Sequence, residues 1–136
     1  MDADITTGVG RGYRMRSLRD LWVEVAVDLD RKGPVEVVTD IDALSEAIAR
    51  IAADGGFALR LTCEGGPSAD AERVVEDCAL ELGAALGEAL GAKASGFRLS
   101  EAATASLRPR LAAIFDESLR RALRAGTQVR GGISRR

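Results

Sequence analysis

The sequence predicts an α+β domain: a small, mainly antiparallel sheet with helices packed on one face. Three observations predict it. Short stretches alternate apolar residues with others at the two-residue period of a half-buried strand, as in Leu21, Val23, Val25, Val27 and Leu29. Longer stretches carry apolar residues at helical spacing, most clearly over residues 69–90. Glycine- and proline-bearing segments punctuate both kinds at short intervals.

Residues from Met1 to about Arg16 show no periodicity and are rich in glycine and arginine. They are expected as a flexible arm over 1–16, ahead of a single domain over 17–126. The strand over 21–29 leads into a turn, Asp30-Arg31-Lys32-Gly33-Pro34, and a second strand over 35–38. That pair is expected as a hairpin. Thr39 or Asp40 can cap a helix running through Asp54, with Ile41, Leu44, Ile48 and Ile51 on one stripe and Gly55-Gly56 as its stop. Phe57 to Cys63 alternates as a third strand, and Glu64-Gly65-Gly66-Pro67 is a loop.

The helix over about 69–90 is the centre of the design. Ser68 or Asp70 can cap it. Val74, Cys78, Leu82, Ala85 and Ala89 form one row, widened by Val75, Ala79, Leu86 and Leu90. A face that broad needs cover from more than one side. Gly83 and Gly87 weaken helix propensity but let another backbone come close. Residues 91–100 form a small-residue connector, and 101–107 a short helical lead-in. A last helix runs from about Pro109 to Ala125, with Leu111, Phe115, Leu119 and Ala122 inward, and ends at Gly126. Residues 127–136 are expected as a mobile basic tail.

Composition narrows the function classes. A chain of 136 residues suits one domain, which buries roughly two thirds of its unfolded surface. With 46% hydrophobic but only 4% aromatic residues, the core must be built from Leu, Val, Ile and Ala. There is no histidine, which removes the commonest general base near neutral pH and the commonest transition-metal ligand. Cys63 and Cys78 make neither a disulfide framework nor a CxxC pair. They read as small buried apolar residues in a reducing compartment, which favours a cytoplasmic location. No apolar run is long enough to span a bilayer, and the Asp-bearing start is unlike a signal peptide, so no membrane partner is expected. Arg11, Arg14, Arg16 and Arg19 near the start, and Arg120, Arg121, Arg124, Arg130, Arg135 and Arg136 at the end, flank an acidic middle. Such ends could touch phosphate. Nucleic acid is not the expected partner, because no aromatic residues interleave for base stacking.

Four segments carry a family pattern in order. Residues Val27-Asp28-Leu29-Asp30-Arg31-Lys32-Gly33 echo an "LxLDGxG" turn, and Val38 to Ile48 echo "DTGIGFLDHML". Residues Gly55 to Gly66 echo "GGFDLTLxxEGD", and Asp70 to Gly91 echo "DDHHTVEDVALALGxALxEALG". With this order and spacing, residues from about Arg16 to Gly91 resemble the N-terminal half of imidazoleglycerol-phosphate dehydratase, the manganese lyase of histidine biosynthesis. The chain beyond Gly91 resembles only the last helix and tail of that enzyme's second half. The resemblance implies half of the dehydratase fold, of the ribosomal S5 domain 2-like type. It also implies that the central helix keeps an uncovered apolar face. The last helix would cover part of it and a second copy the rest, as a homodimer or larger homo-oligomer.

The departures from the pattern bear on chemistry. The resemblance places the family's histidine ligands on Glu46, Glu72 and Arg73, and its ligand carboxylate on Glu76. The catalytic glutamate falls on Asp20. The second half's paired histidines fall on Arg108 and Pro109, the neighbouring acid falls on Ala112, and the phosphate-binding tail is echoed by Gln128-Val129-Arg130-Gly131. Glu46, Glu72 and Glu76 could form an all-oxygen site for a hard cation. Against this, Arg73 brings a fixed positive charge, and the plainer reading pairs it with Asp77 at i,i+4 and sets Glu72 near the positive helix terminus. No metal and no cofactor is expected. Asp20 and Glu76 are the candidate catalytic acids. Asp28 and Asp30 are explained by their turn. Arg16, Arg19 and Arg130 are the candidate phosphate-binding residues. The expected function is that of a non-catalytic relative acting by self-assembly or partner binding. A lyase or binding protein for a small phosphorylated molecule is the alternative, and a ligand-free folded scaffold is a third reading.

Overall fold

The structure is a computed structural model that describes residues 10–18, 20–65 and 70–134, with the side chains of the last helix described as far as Arg124. The elements are β1 (Arg11–Leu18), β2 (Leu21–Asp28), β3 (Val35–Val38), α1 (Asp42–Gly55), β4 (Ala58–Gly65), α2 (Ala71–Leu90) and α3 (Pro109–Ser134). The four strands form one sheet in the order β1-β2-β4-β3. β1–β2 and β2–β4 are antiparallel and β3–β4 is parallel. The α+β class and the mainly antiparallel sheet are as expected.

Alternation sorts the two sheet faces. Leu21, Val23, Val25 and Val27 of β2 are buried toward the helices, with Leu59, Leu61 and Cys63 of β4 beside them. α1 and α2 pack on that face. α2 lies between the sheet and α3, and its buried positions, from Val74 and Val75 to Leu86 and Ala89, cover most of its circumference, leaving a half-buried stripe at Glu76, Leu80, Ala84 and Glu88. Arg110 at the start of α3 binds Glu72 at the start of α2, and Leu119 and Ala122 sit against Gly83. The two helices therefore run in the same direction, and the connector with its 3-10 turns at Gly91–Gly96 and Glu101–Thr104 returns the chain to the start of α2. A Cβ on Gly83 would fall 2.7 Å from the Leu119 carbonyl oxygen, so glycine permits this close approach, as the sequence suggests.

Several expectations need correction. Residues 11–16 are not a flexible arm; they belong to β1, which pairs with β2 along its full length. Apolar periodicity misses β1 because an edge strand buries little, and its helix-facing positions are Gly12, Arg14 and Arg16. Residues 1–9 of that arm lie outside the described residues. β2 and β3 do not form a hairpin. β4 lies between them, and β3 reaches it through α1, because two parallel strands need a crossover long enough to hold a helix. α1 begins at Asp42 behind Ile41, without a side-chain cap. Thr39 instead accepts a hydrogen bond from the Ile41 amide at 3.1 Å, and Asp40 accepts one from the Gly65 amide at 2.9 Å, tying the helix start to the end of β4. On α2, Asp70 is the cap, accepting from the Arg73 amide at 2.8 Å. α3 does not stop at Gly126 but runs to Ser134, so residues 127–134 of the expected tail are helical in backbone. A helical glycine costs only about 1 kcal/mol, which lowers propensity without ending a helix. Finally, the apolar face of α2 is closed within the chain by the sheet on one side and α3 on the other. The outer side of α3 is polar and laced with the i,i+4 pairs Asp116–Arg120 and Glu117–Arg121.

Candidate functional site

Four of the charged groups singled out in the sequence, Arg16, Asp20, Arg73 and Asp77, converge along one flank of α2. Positions 73, 77 and 81 are one helical turn apart, so Arg73, Asp77 and Glu81 form a stripe. β1 runs beside that stripe, and Arg14 and Arg16, two residues apart, point to the same side of it. The turn between β1 and β2 supplies Asp20. The Nη1 of Arg73 lies 2.9 Å from one carboxylate oxygen of Asp20 and 3.0 Å from the other. Its Nε lies 3.7 Å from Oδ2 of Asp77. One turn further on, Glu81 accepts from Arg14 Nε and Arg16 Nη1, both at 3.5 Å. Three acids and three arginines thus form a charge-balanced ladder.

Two acids of this ladder, Asp77 and Glu81, are its buried members, and Asp20 is half-buried. Asp77 is 7% exposed and Glu81 4%, whereas the arginine side chains lie at the rim with their stems along the protein. Loss of water pushes the Asp77 carboxyl above its usual range, Arg16 and Arg73 oppose the shift, and Glu76 and Glu81 add to it. The folded state holds this proton more tightly than the unfolded chain, so the contribution to stability is present at low pH and is lost as pH rises through the folded pKa. At neutral pH the ionised carboxylate costs stability. Asp77→Asn is therefore expected to raise the melting temperature at pH 7 and to lose that gain on acidification toward pH 4. A lower melting temperature at pH 7 in a thermal-shift series would show that the attraction of Arg73 outweighs desolvation.

A second ion pair joins the helices on the other flank. Arg110 of α3 grips Glu72 with Nε and Nη2, and these hydrogen bonds hold the Glu72 carboxyl below its usual range. Glu72 does not join Glu46 or Glu76. Glu46 faces solvent on α1 and Glu76 is half-buried on α2. Among the described residues no group of three or more His, Cys, Asp or Glu could hold a metal ion. Arg73 makes the expected i,i+4 pair with Asp77 and adds the bond to Asp20, which spacing alone does not indicate. Asp28 is bound at 3.6 Å by Arg11 and accepts the Asp30 amide at 3.0 Å, as its turn position suggests. Of the candidate phosphate ligands, Arg16 is engaged by Glu81, Arg19 lies outside the described residues, and only the backbone of Arg130 is described. The sequence reading misses Arg14, Glu81 and Arg110 as site members. The signal for the first two was the alternation of Arg14 with Arg16 and the 73-77-81 spacing. Cys63 and Cys78 are free, buried and hydrogen-bonded to each other, which raises the Cys78 pKa well above its usual value and lowers that of Cys63.

Comparison with known proteins gives this geometry a setting. The family model described as imidazoleglycerol-phosphate dehydratase matches residues 39–131. An imidazoleglycerol-phosphate dehydratase of Corynebacterium urealyticum is 35% identical over 94 residues, which cover 69% of this chain and 45% of the relative. The histidine biosynthesis bifunctional protein HisB of Stenotrophomonas maltophilia is 37% identical over 78 residues, 57% of this chain and 22% of the relative. That of Xanthomonas axonopodis pv. citri is 35% identical over 83 residues, 61% and 22%. The matched stretch spans less than half the length of these relatives.

Proposed function

We propose that this chain, which belongs to the imidazoleglycerol-phosphate dehydratase family, keeps a family fold without the family's chemistry and acts by self-assembly or by binding a partner. One observation carries the reading: the guanidinium of Arg73, held at 2.9 Å by Asp20 and at 3.7 Å by Asp77. The resemblance implies manganese in this region, and the donor set does not fit it. A metal ligand must offer a lone pair, and a guanidinium has none and is permanently charged. Its positive charge sits where a divalent cation would need to approach the acids, and it already neutralises them. Glu72 is gripped in the same way by Arg110.

Asp20, the shorter acid at the position the resemblance gives to a catalytic glutamate, serves in this reading as the anchor of Arg73. Both of its oxygens lie within 3.0 Å of the Arg73 guanidinium, so the carboxylate is committed to that ion pair. Purified protein supplied with manganese is expected to carry no stoichiometric metal by elemental analysis, to show no dehydratase turnover, and to melt at the same temperature with or without chelator. Bound manganese with turnover of imidazoleglycerol phosphate would overturn the proposal and restore the reading as a lyase.

A further inference from the structure

The helix-covered side of the sheet is closed, but the other side is not. We infer that this open face is the surface through which two copies of the chain meet, about a two-fold axis parallel to the strands. The inference rests on the reading that the chain assembles, and it adds the surface and the geometry.

Among the described residues, the exposed large hydrophobic side chains are Met15, 52% exposed, and Val38, 60% exposed. Both belong to the open face. The register places them in a single row: Met15 lies opposite Glu24, Glu24 opposite Thr62, and Thr62 opposite Val38. They therefore stand at the two outer strands of the sheet, β1 and β3. Trp22, half-buried, lies in the next row. A solvated sheet face has no need of these three side chains.

A two-fold axis along the strands lays β1 of one copy over β3 of the other and keeps each row in place. Met15 then meets the partner's Val38, and the same contact occurs a second time by symmetry. In that row Glu24 faces the partner's Thr62. In the row beside it Arg60 faces the partner's Ala26, since Ala26 pairs with Arg60 within one sheet. In these two rows Glu24 and Arg60 thus meet small neutral residues, Glu36 meets the partner's Tyr13, and like charges are kept apart. Several charges of the face are also engaged before contact, Arg60 with Glu36 at 3.2 Å and Arg11 with Asp28 at 3.6 Å, and Glu24 accepts a hydrogen bond from the Tyr13 hydroxyl. A depression of about 500 Å³ over Tyr13, Ala26 and Arg60 leaves room for facing side chains to interdigitate.

The competing route, growth of the sheet through the edge of β1, is obstructed. The Tyr13 amide on that edge donates to Glu88 at 3.2 Å, and Arg14 and Arg16 would face their own copies. The size of the face sets the strength expected. Strands about 4.8 Å apart, three of eight residues and β3 of four, at about 3.3 Å per residue, give a footprint of roughly 450 Å² per copy. Two such footprints total about 900 Å², within the range of weak, transient contacts, so the expected dimer is a reversible one.

Sedimentation velocity over a concentration series tests this on the full chain. The wild type is expected to dimerise reversibly, and Met15→Lys or Val38→Lys to raise the dissociation constant at least tenfold. Glu117→Lys on the outer side of α3 should leave it unchanged. Circular dichroism confirms that each variant is folded. The double variant Met15→Cys with Val38→Cys adds a covalent readout. Within one copy these positions lie three strand spacings apart, about 14 Å, beyond disulfide reach, so oxidation is expected to give a cross-linked dimer. A dimer indifferent to both lysine variants would overturn this surface while leaving self-assembly in place. A wild type monomeric to millimolar concentration would overturn both. Neither result depends on the metal and turnover assay.

Discussion

Gly12→Ala is expected to destabilise the protein by roughly 3 kcal/mol or more, a large share of the total stability of a domain this size. The cause is a backbone-on-backbone contact. A Cβ at residue 12 would fall 1.9 Å from the carbonyl oxygen of Ala85 on α2. Neither side can yield as a flexible side chain would. The strand must lift from the helix, and in lifting it weakens the hydrogen bonds from the Gly10 amide to Ala89 at 3.0 Å and from the Tyr13 amide to Glu88 at 3.2 Å. Urea denaturation measures the loss directly. A midpoint within error of the wild type would show that β1 is not seated on α2, and with it the placement of Arg14 and Arg16 would fall.

Arg73→Ala is expected to cost about 2 kcal/mol at pH 7, less than the 3–5 kcal/mol typical of breaking a fully buried pair, because Arg73 reaches the surface. The substitution strips the counter-charge from Asp20 and Asp77 together. Its pH dependence distinguishes it from a simple packing loss. As pH falls through the raised pKa of Asp77, that carboxyl becomes neutral and no longer needs a cation, so the deficit should shrink. Chemical denaturation of both proteins at pH 7 and near pH 4 checks this. A deficit that stays constant across that range would mean that the role of Arg73 lies in its aliphatic stem. Restoring a charge with Arg73→Lys should recover only part of the loss, since a single ammonium cannot contact both oxygens of Asp20 and also approach Asp77.

How far the fold was legible depended on how deeply each element is buried. The row Val74, Cys78, Leu82, Ala85 and Ala89 marked α2 because a helix surrounded by other elements must be apolar on a broad front. β2 and β4 announced themselves through alternation because helices cover one face of the sheet and leave the other open. β1 did not, since its helix-facing side chains are a glycine and two arginines that answer to Glu81 rather than to the core. The β2–β3 hairpin was the natural inference from neighbouring strands. Only the pairing of both with β4 shows that sequence order and sheet order differ, a long-range fact with no local signature. The site was half legible. The i,i+4 spacing of Arg73 and Asp77 could be read directly, but the bond to Asp20 spans 53 positions and depends on where the β1–β2 turn comes to rest. The pairing of Glu72 with Arg110 likewise depends on α3 running parallel to α2, which the periodicity of either helix leaves open.

The enclosure of α2 also limits how the molecule can move. A helix covered by the sheet on one side and by α3 on the other, with only a half-buried stripe at Glu76, Leu80, Ala84 and Glu88, has little free surface along which to slide or tilt. Opening it means parting two packed layers at once, so its amides should open only when the whole domain does. Motion at lower cost is left to the periphery: the β2–β3 turn, the connector after Gly91 and the far end of α3. A signal that altered this protein would have to act at those margins, or on the sheet's open face, because the centre responds only as a single cooperative unit.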